Sequence, residues 1–463
     1  MEVKKTRVHR ICLTVGIAAA ACIAAILLCL FLRTETKPVD ITLNGSKEYI
    51  LGDFTLSNEH RINDYVEFQE LRFGNAAVQN AAVATAPDGT VYFLAVTANG
   101  AEPDRMDTVT LYRMATEDWV ELYSFEIYRE VGRDSSGHFL SVFCDEKSRV
   151  FLFNYTMKST RLEARMYDPK TGECKNVGES GNISFVQTNG RACSDGKKAY
   201  FACNSSNNPW CNTLTYDFER MEFSNYGIGF DGVGVTVCEL VHRDGRIYLL
   251  VSETDTDYDV NQETIAYKNC LAVYCLENFG TDKQACVFSR EIGPKYDYRN
   301  CFHSDEHMQM DDEGNLYVMF IEKSIASTPV DEKYVLEVLS PNGEPLYANK
   351  YDSMLKSDNE TTYLRWGICS FFFGTDGELY VLEQATVSSA TSCCCVIGRF
   401  SGDKHETLGA VTDTIVLDNV IIKVSGQKYS ADPAKDGWIS DIICKNTVTE
   451  GGYSYMRLRM KKK

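Results

Sequence analysis

The chain carries no nucleotide-binding glycine loop, no Gly-x-Ser-x-Gly elbow and no His-Glu-x-x-His pair. These are the stretches by which a single segment announces phosphate binding, a serine nucleophile or a catalytic zinc. Their absence leaves only chemistry assembled from distant parts of the chain. Cys-x-x-Cys is missing as well, although the sequence holds 18 cysteines. Three of these (Cys12, Cys22, Cys29) fall in one apolar run, and the remaining 15 are an odd number that includes the adjacent trio Cys393-Cys394-Cys395. Neighbouring strand residues point to opposite faces, so that trio cannot converge on one metal. The pattern argues against a zinc site and against an extensive disulfide framework. Most of these cysteines lie in apolar strands as small core residues.

Basic charge is in deficit. Lys and Arg number 47 against 65 Asp and Glu, a formal charge of −18. Residues 1–33 hold four more basic than acidic groups, so the rest of the chain carries −22. A surface this acidic repels phosphate backbones and argues against nucleic acid as a partner. Cationic ligands, metal ions and basic protein faces suit it better, and simple solubility accounts for it equally well.

Only one hydrophobic run is long. Residues 11–32, Ile11 to Leu32, contain no charge; at about 1.5 Å per residue they reach about 33 Å, enough for a hydrocarbon core of about 30 Å. A cleaved leader would end in a small-x-small site, whereas this run exits through Leu30-Phe31-Leu32-Arg33. A lipoprotein site at Ala19-Ala20-Ala21-Cys22 would leave a long apolar remainder after the modified cysteine. The reading is an uncleaved signal-anchor. Lys4, Lys5, Arg7 and Arg10 precede it, while only Arg33 and Lys37 follow closely. The positive-inside bias therefore predicts a cell-membrane protein of one span, residues 1–10 cytoplasmic and everything after residue 33 outside. Residues 33–63 read as a tether with an extra strand near Lys47–Leu56, and residues 64–463 as one folded domain.

That domain is repetitive. An Asp-Gly turn followed by an aliphatic-aromatic strand recurs as Asp88-Gly89-Thr90-Val91-Tyr92, Asp195-Gly196 with Ala199-Tyr200, Asp244-Gly245-Arg246-Ile247-Tyr248, Asp312-Glu313-Gly314-Asn315-Leu316-Tyr317 and Asp376-Gly377-Glu378-Leu379-Tyr380. Asp145 to Phe151 is a looser copy, and Asp436-Gly437-Trp438-Ile439 a degenerate one. The aromatic anchors Tyr92, Phe151, Tyr200, Tyr248, Tyr317 and Tyr380 are spaced 59, 49, 48, 69 and 63 residues apart. Asp-Gly suits a tight two-residue hairpin turn, and the alternating β-branched and aromatic residues after it are strand formers. Several short strands at such a period predict an all-β fold, a β-propeller with one four-stranded blade per repeat. Six clear repeats plus a blade shared by both chain ends make seven; six or eight fit the spacing too. Asp64 to Leu71 would be the outer strand of the shared blade, beside the alternating C-terminal stretch Tyr453 to Met460. On these residues the chain resembles the NHL and YVTN-like propellers over roughly residues 64–460. It lacks the Trp-Asp of WD40 proteins, paired kelch glycines and the sialidase Asp-box.

In such a fold the Asp-Gly turns share one end of the blades. The long connections between second and third strands (Thr97–Asp107, Asn204–Trp210, Glu253–Lys268, Glu322–Glu332) share the other, which is where binding surfaces evolve. Within Glu253–Glu263, the alternating oxygen ligands Asp255, Asp257, Asp259 and Asn261 suit a hard cation such as Ca²⁺. Val260 stands where an EF-hand glycine would be, and a solvated acidic loop is the plainer reading. His303, Asp305 and His307 share one side of an extended strand near the central channel, which would serve a metal or a proton transfer. Arg365-Trp366, Gln187 and Asn80 occupy comparable channel-mouth positions and could clamp a sugar or carboxylate; blade packing accounts for them equally. Cys203 and Cys211 form the expected disulfide, clipping the 204–210 loop. Five Asn-x-Ser/Thr sites (Asn44, Asn154, Asn182, Asn204, Asn359) matter only in a glycosylating host.

The functional expectation is a non-catalytic module that binds an extracytoplasmic protein or small ligand on its loop-rich face. The alternative is a hydrolase or lyase acting on glycans or lactones through His303, Asp305, His307 and Arg365.

Overall fold

The computed structural model describes residues 39–41, 61–62, 66–71, 78–98, 106–114, 119–128, 139–156, 160–183, 191–204, 210–230, 234–259, 264–297, 301–324, 333–352, 355–357, 364–374, 377–387, 393–401, 404–412, 417–423, 438–449 and 452–461. The chain divides into two units, Met1–Lys37 and Pro38–Lys463, and the described residues all belong to the second. Every regular element among them is a β-strand. No helix among the described residues is long and apolar enough to cross a membrane. The expected anchor at residues 11–32 lies outside them, as does the extra strand at 47–56. Part of the expected tether is ordered as strand, since Val39–Ile41 runs parallel to Leu355–Ser357.

Five antiparallel sheets of four strands follow one another in chain order, each laid down strand by strand. The second sheet comprises Phe139–Cys144, Val150–Thr156, Arg161–Asp168 and Glu173–Glu179; the third, Arg191–Ser194, Lys198–Asn204, Trp210–Asp217 and Glu222–Gly229. The fourth runs Gly234–Arg243, Arg246–Asp259, Thr264–Glu277 and Ala285–Asp297. The fifth runs Cys301–Met310, Leu316–Ser324, Lys333–Leu339 and Pro345–Asp352, and the sixth Leu364–Phe373, Leu379–Val387, Cys393–Ser401 and Lys404–Thr412. A first sheet of the same kind, Val78–Thr85, Val91–Ala98, Met106–Met114 and Trp119–Tyr128, is joined by the single pair Tyr453–Val78 to the strands that close the chain. Those strands are Leu417–Lys423, Trp438–Thr449 and Gly452–Lys461, with Val66–Leu71 from the N-terminal side paired along the last of them. First strands lie side by side between the first and second sheets and from the third sheet through the sixth, and Leu417–Lys423 is beside both the first strand of the sixth sheet and that of the first.

Why such apolar strands form is clear from where alternate residues go. In Val150–Thr156, Phe151, Phe153 and Tyr155 pack into a layer shared with Phe201, Leu214 and Tyr216 of the third sheet. Val150 and Leu152 pack into the layer shared with Leu94, Val96 and Leu111 of the first. Comparable layers join the third sheet to the fourth and the fourth to the fifth. A strand buried on both faces needs an unbroken apolar run rather than a polar alternation, and Val91-Tyr92-Phe93-Leu94-Ala95-Val96 is one, buried throughout.

The turn chemistry departs from expectation. Among the described residues, only Asp244-Gly245 is a two-residue turn with both residues at positive φ, 50° and 78°, between paired Arg243 and Arg246. In the first, second and fifth sheets three residues intervene. The amides of Ala86, Asp145 and Asp311 donate to the carbonyls of Thr90, Arg149 and Asn315, and Gly89, Ser148 and Gly314 take the left-handed conformation at the third position. This is a turn followed by a one-residue bulge, which matches strand twist as well as the shorter loop does.

Consecutive sheets are also tied at their turns. Gly280, in the turn after Glu277, sits against the third sheet: an added Cβ would lie 2.6 Å from Thr215 Oγ1 and 2.9 Å from its backbone nitrogen. Thr215 Oγ1 in turn donates to the Phe279 carbonyl at 2.7 Å. Gly245 has a similar φ but nothing within 4 Å of an added Cβ. Gly245→Ala is therefore expected to cost about 1 kcal/mol through backbone strain alone. Gly280→Ala should cost at least about 2 kcal/mol, because backbone of the neighbouring sheet must move. Paired chemical denaturation of the two variants measures the difference; equal losses would mean that the Gly280 junction carries no packing constraint.

Candidate functional site

The channel-mouth residues named from sequence lie on first strands, but they do not assemble as expected. His303 pairs with Glu322 and His307 with Met319, with a bulge between Ser304 and His307. Glu322 and Met319 are an odd number of positions apart, so the two histidine positions fall on opposite faces of the sheet. The bulge overturns the simple alternation that grouped His303, Asp305 and His307. On the neighbouring first strand, Arg365 pairs with Thr386 and Trp366 with Ala385. His303 and Trp366 stand at the same level, each equally far from the residue paired with its anchor (Gln309 with Tyr317, Phe372 with Tyr380). Asn80 pairs with Val96 lower in the first sheet, just past a bulge of its own. Gln187 lies outside the described residues.

First strands are bulged in the fourth, fifth and sixth sheets, each time within a few residues beyond the anchor's partner (Val237/Glu239, Ser304/His307, Ile368/Ser370). A bulge leaves a residue off the ladder and recurs at barrel rims and beside binding sites. In the fourth sheet the freed carbonyl is that of buried Cys238, and it accepts a hydrogen bond from Arg191 Nε of the preceding first strand. Arg191 was not anticipated. No motif marks it, and its partner is a backbone atom exposed only by the bulge.

The acidic cation loop is also redrawn. Arg246–Asp259 continues as strand through the whole series, with Asp255 opposite Lys268, Asp257 opposite Ala266 and Asp259 opposite Thr264. Extended backbone places alternate residues about 7 Å apart, so Asp255 and Asp259 stand about 13 Å from each other along the strand. That is too far to surround one Ca²⁺ with ligands at 2.3–2.6 Å. Asn261 lies outside the described residues. No cluster of three or more His, Cys, Asp or Glu poised for a metal occurs among the described residues.

The Cys203–Cys211 bridge is overturned. Cys203 pairs with Asn212, and Cys211 with Asn204; the two thiols therefore project from opposite faces of one sheet. Cys203 packs with Phe201 and Tyr216, Cys211 with Val235 and Leu249. Both are buried free thiols. Burial pushes the Cys211 thiol up to about 12, so it stays protonated. Asn154, one of the five glycosylation sequons, is also buried, its Oδ1 accepting from Arg165 Nη1 at 2.6 Å.

The repeated aspartates serve the turns. Asp145 Oδ1 accepts the amides of Lys147 and Arg149, and its Oδ2 takes Arg149 Nε at 2.6 Å. Asp311 Oδ1 accepts the Asn315 amide. Arginines at this end then reach the next sheet: Arg149 Nη2 donates to the Phe218 carbonyl, and Arg243 donates to the carbonyls of Asp311 and Asp312.

The richest polar joint links the third and fourth sheets. Asp195 Oδ1 accepts two backbone amides, those of Lys197 and Lys198, and Oδ2 accepts the Tyr200 hydroxyl at 2.9 Å. His242 stacks on Tyr200 with ring centroids 5.1 Å apart, and its Nε2 lies 3.7 Å from Asp195 Oδ2. That nitrogen is buried without a hydrogen-bond partner. Burial raises Tyr200 far above the ordinary phenol range, with the Asp195 carboxylate adding to the effect. The phenol, held firmly protonated, and the carboxylate, which also takes two backbone amides, form a joint between the two sheets.

No protein-family model matches the chain, and no curated protein matches it by sequence. Solved structures similar to it include the polysaccharide lyase Uly1, at 9% identity and a TM-score of 0.49, covering 91% of this chain and 98% of that one. They also include the extracellular domains 1–2 of Drosophila Semaphorin 1a, at 10% identity and 0.42, covering 84% and 86%. A third is the β-propeller domain of the Trilobed protease from Pyrococcus furiosus, at 11% and 0.40, covering 83% and 94%. The neighbours are β-propeller proteins, and the likeness is one of fold alone.

Three outcomes follow. Burial pushes His242 below the ordinary imidazole range, against the opposing pull of Asp195 and Asp244. Its stabilising contribution is complete above the unfolded value of about 6.5 and is lost as pH falls from there through its lowered folded value. Thermal melts from pH 7.5 to 5 should show a smaller loss of Tm for His242→Phe, which keeps the stack, than for the parent chain. Peptide mapping without reductant should recover Cys203 and Cys211 as separate thiols. Brief alkylation of the folded protein should label exposed Cys286 ahead of buried Cys144, Cys203, Cys211 and Cys275.

Proposed function

We propose that this chain is a seven-bladed propeller, anchored by residues 11–32, that presents its loop-rich face outside the cell membrane to bind a protein or small ligand without catalysis. The closing strands Leu417–Lys423, Trp438–Thr449, Gly452–Lys461 and Val66–Leu71 supply the seventh blade in this reading, formed from both chain ends.

The observation that carries the proposal is the contrast between the two ends of the blades. At the Asp-Gly end, aspartates and arginines are committed to turn and inter-sheet backbone groups, which makes a rigid base. At the other end, connections differ from sheet to sheet. Thr156 and Arg161 bound one in the second sheet, Ser324 and Lys333 a longer one in the fifth. In the fourth, the second and third strands continue as a two-stranded ribbon beyond Asp255, past the last pairing with the first strand at Thr254 and with the fourth at Lys268. Variable connections on a rigid base are how a scaffold acquires specificity without altering its core.

Affinity capture with tagged full-length protein in native membranes tests the reading. Shortening the ribbon by deletion of residues 257–266, or replacing residues 325–332 with a short Gly-Ser link, should abolish or weaken capture while leaving Tm within a few degrees. Capture indifferent to both changes, or turnover of glycans or lactones that disappears in His303→Ala with Arg365→Ala, would replace binding by the enzymatic alternative.

A further inference from the structure

One aromatic side chain on the loop-rich end is held in a way that packing does not require. Trp210 opens the third strand of the third sheet and pairs with Gly229. It is 59% exposed, the largest fraction among the exposed large hydrophobics of the described residues. Its indole lies across the neighbouring strand. An added Cβ at Gly227 would lie 3.4 Å from Cε3 and 3.6 Å from Cζ3, and one at Gly229 would lie 3.7 Å from Cη2 and 3.8 Å from Cζ2. The ring therefore rests on two glycines while the residue keeps most of its surface exposed.

The glycines are the second observation. Neither Gly227 nor Gly229 has the positive φ that would demand glycine, and glycine weakens a strand interior. What their missing side chains provide is a flat bed for the indole. On the same face, by register, stand Asn212 opposite Gly227 and Asn225 opposite Leu214; Asn225 is exposed and Asn212 half-buried. Cys211 to Tyr216 and Phe223 to Gly229 contain no charged residue, in a protein where 24% of residues are charged and the net charge is −18.

We propose that Trp210, bedded on Gly227 and Gly229 with exposed Asn225 on the same face, is a stacking platform for a neutral glycan. A pyranose presents a patch of C–H groups on one face, which packs against the electron-rich face of an indole. Its hydroxyls are left for polar partners on the same face, where Asn225 stands. Asn carries both donor and acceptor, the pair a hydroxyl needs. Neutral surroundings in an acidic protein favour a neutral sugar over a uronate or sulfate, which the overall charge repels. The inference deepens the binding role proposed above and rests on it for the orientation of this end toward the outside.

The test uses full-length protein in detergent and a panel of neutral hexasaccharides built from glucose, mannose, galactose and N-acetylglucosamine, with affinity read by calorimetry. At least one sugar should bind. Trp210→Ala should weaken it at least about tenfold and Trp210→Phe only a few-fold, since a flat ring remains. Gly229→Val, which lifts the indole from its bed, should also weaken binding, with circular dichroism melts showing each variant folded. No binding by any member of the panel, or affinity unchanged in Trp210→Ala, overturns the platform. Capture of a protein partner that survives Trp210→Ala while the panel fails overturns the platform and leaves the binding role standing. Cleavage of a bound sugar that depends on Trp210 keeps the platform and overturns the non-catalytic role.

Discussion

Burial on both faces, as in the second, third and fourth sheets, is the constraint on which the rest of this protein depends. Phe151 and Phe153 look toward the third sheet while Val150 and Leu152, between and beside them, look toward the first. The second, third and fourth sheets are thus each half of two cores. A four-stranded antiparallel sheet exposed on one face would show polar alternation; these strands show continuous apolar sequence because neither face meets water. The same demand explains why both chain ends meet, with Val66–Leu71 lying along Gly452–Lys461. An unclosed end would leave an apolar face and a free edge in solvent.

Double burial also governs where polar chemistry can exist. Side chains in the layers between sheets are mostly apolar or small, Arg165 over Phe125 and its buried partner Asn154 being exceptions, so most charged groups are displaced to the two ends of the strands. At the Asp-Gly end they are absorbed by the architecture. Asp145 and Asp311 cap their own turns, and Arg149 and Arg243 lock each turn to the backbone of the next sheet. Asp195, Tyr200 and His242 form the same kind of joint, with an added ring stack. Residues that look catalytic by type are here structural by geometry. The opposite end keeps variable connections, the extended ribbon of the fourth sheet and the bedded indole of Trp210, and the functional reading looks there.

The candidate site was less legible than the fold because strand alternation holds only where the ladder is regular. His303, Asp305 and His307 are spaced to share a face, yet one extra residue between Ser304 and His307 moves the two histidines to opposite faces. Asp255, Asp257 and Asp259 look like a loop rich in oxygen ligands, yet cross-strand pairing with Lys268, Ala266 and Thr264 straightens them. Cys203 and Cys211 are close along the chain and look like a clip, yet the register Cys203–Asn212 puts the sheet between them. In each case local spacing was read correctly and a cross-strand partner decided the outcome.

What the amino-acid sequence determined by itself was the repeat: an all-β chain of hairpins with aromatic anchors, four strands to a unit, and an N-terminal outer strand complementary to the C-terminal one. Those features are local, set by φ preferences at Asp and Gly, by β-branched and aromatic strand formers, and by period-two patterning over a few residues. Turn length, bulge position and the fate of the aspartates were decided only in the tertiary structure, as was the bed of Gly227 and Gly229 beneath Trp210. These depend on which residue lies across a strand or on the next sheet, and contacts between partners tens of residues apart leave no periodic trace in either segment alone.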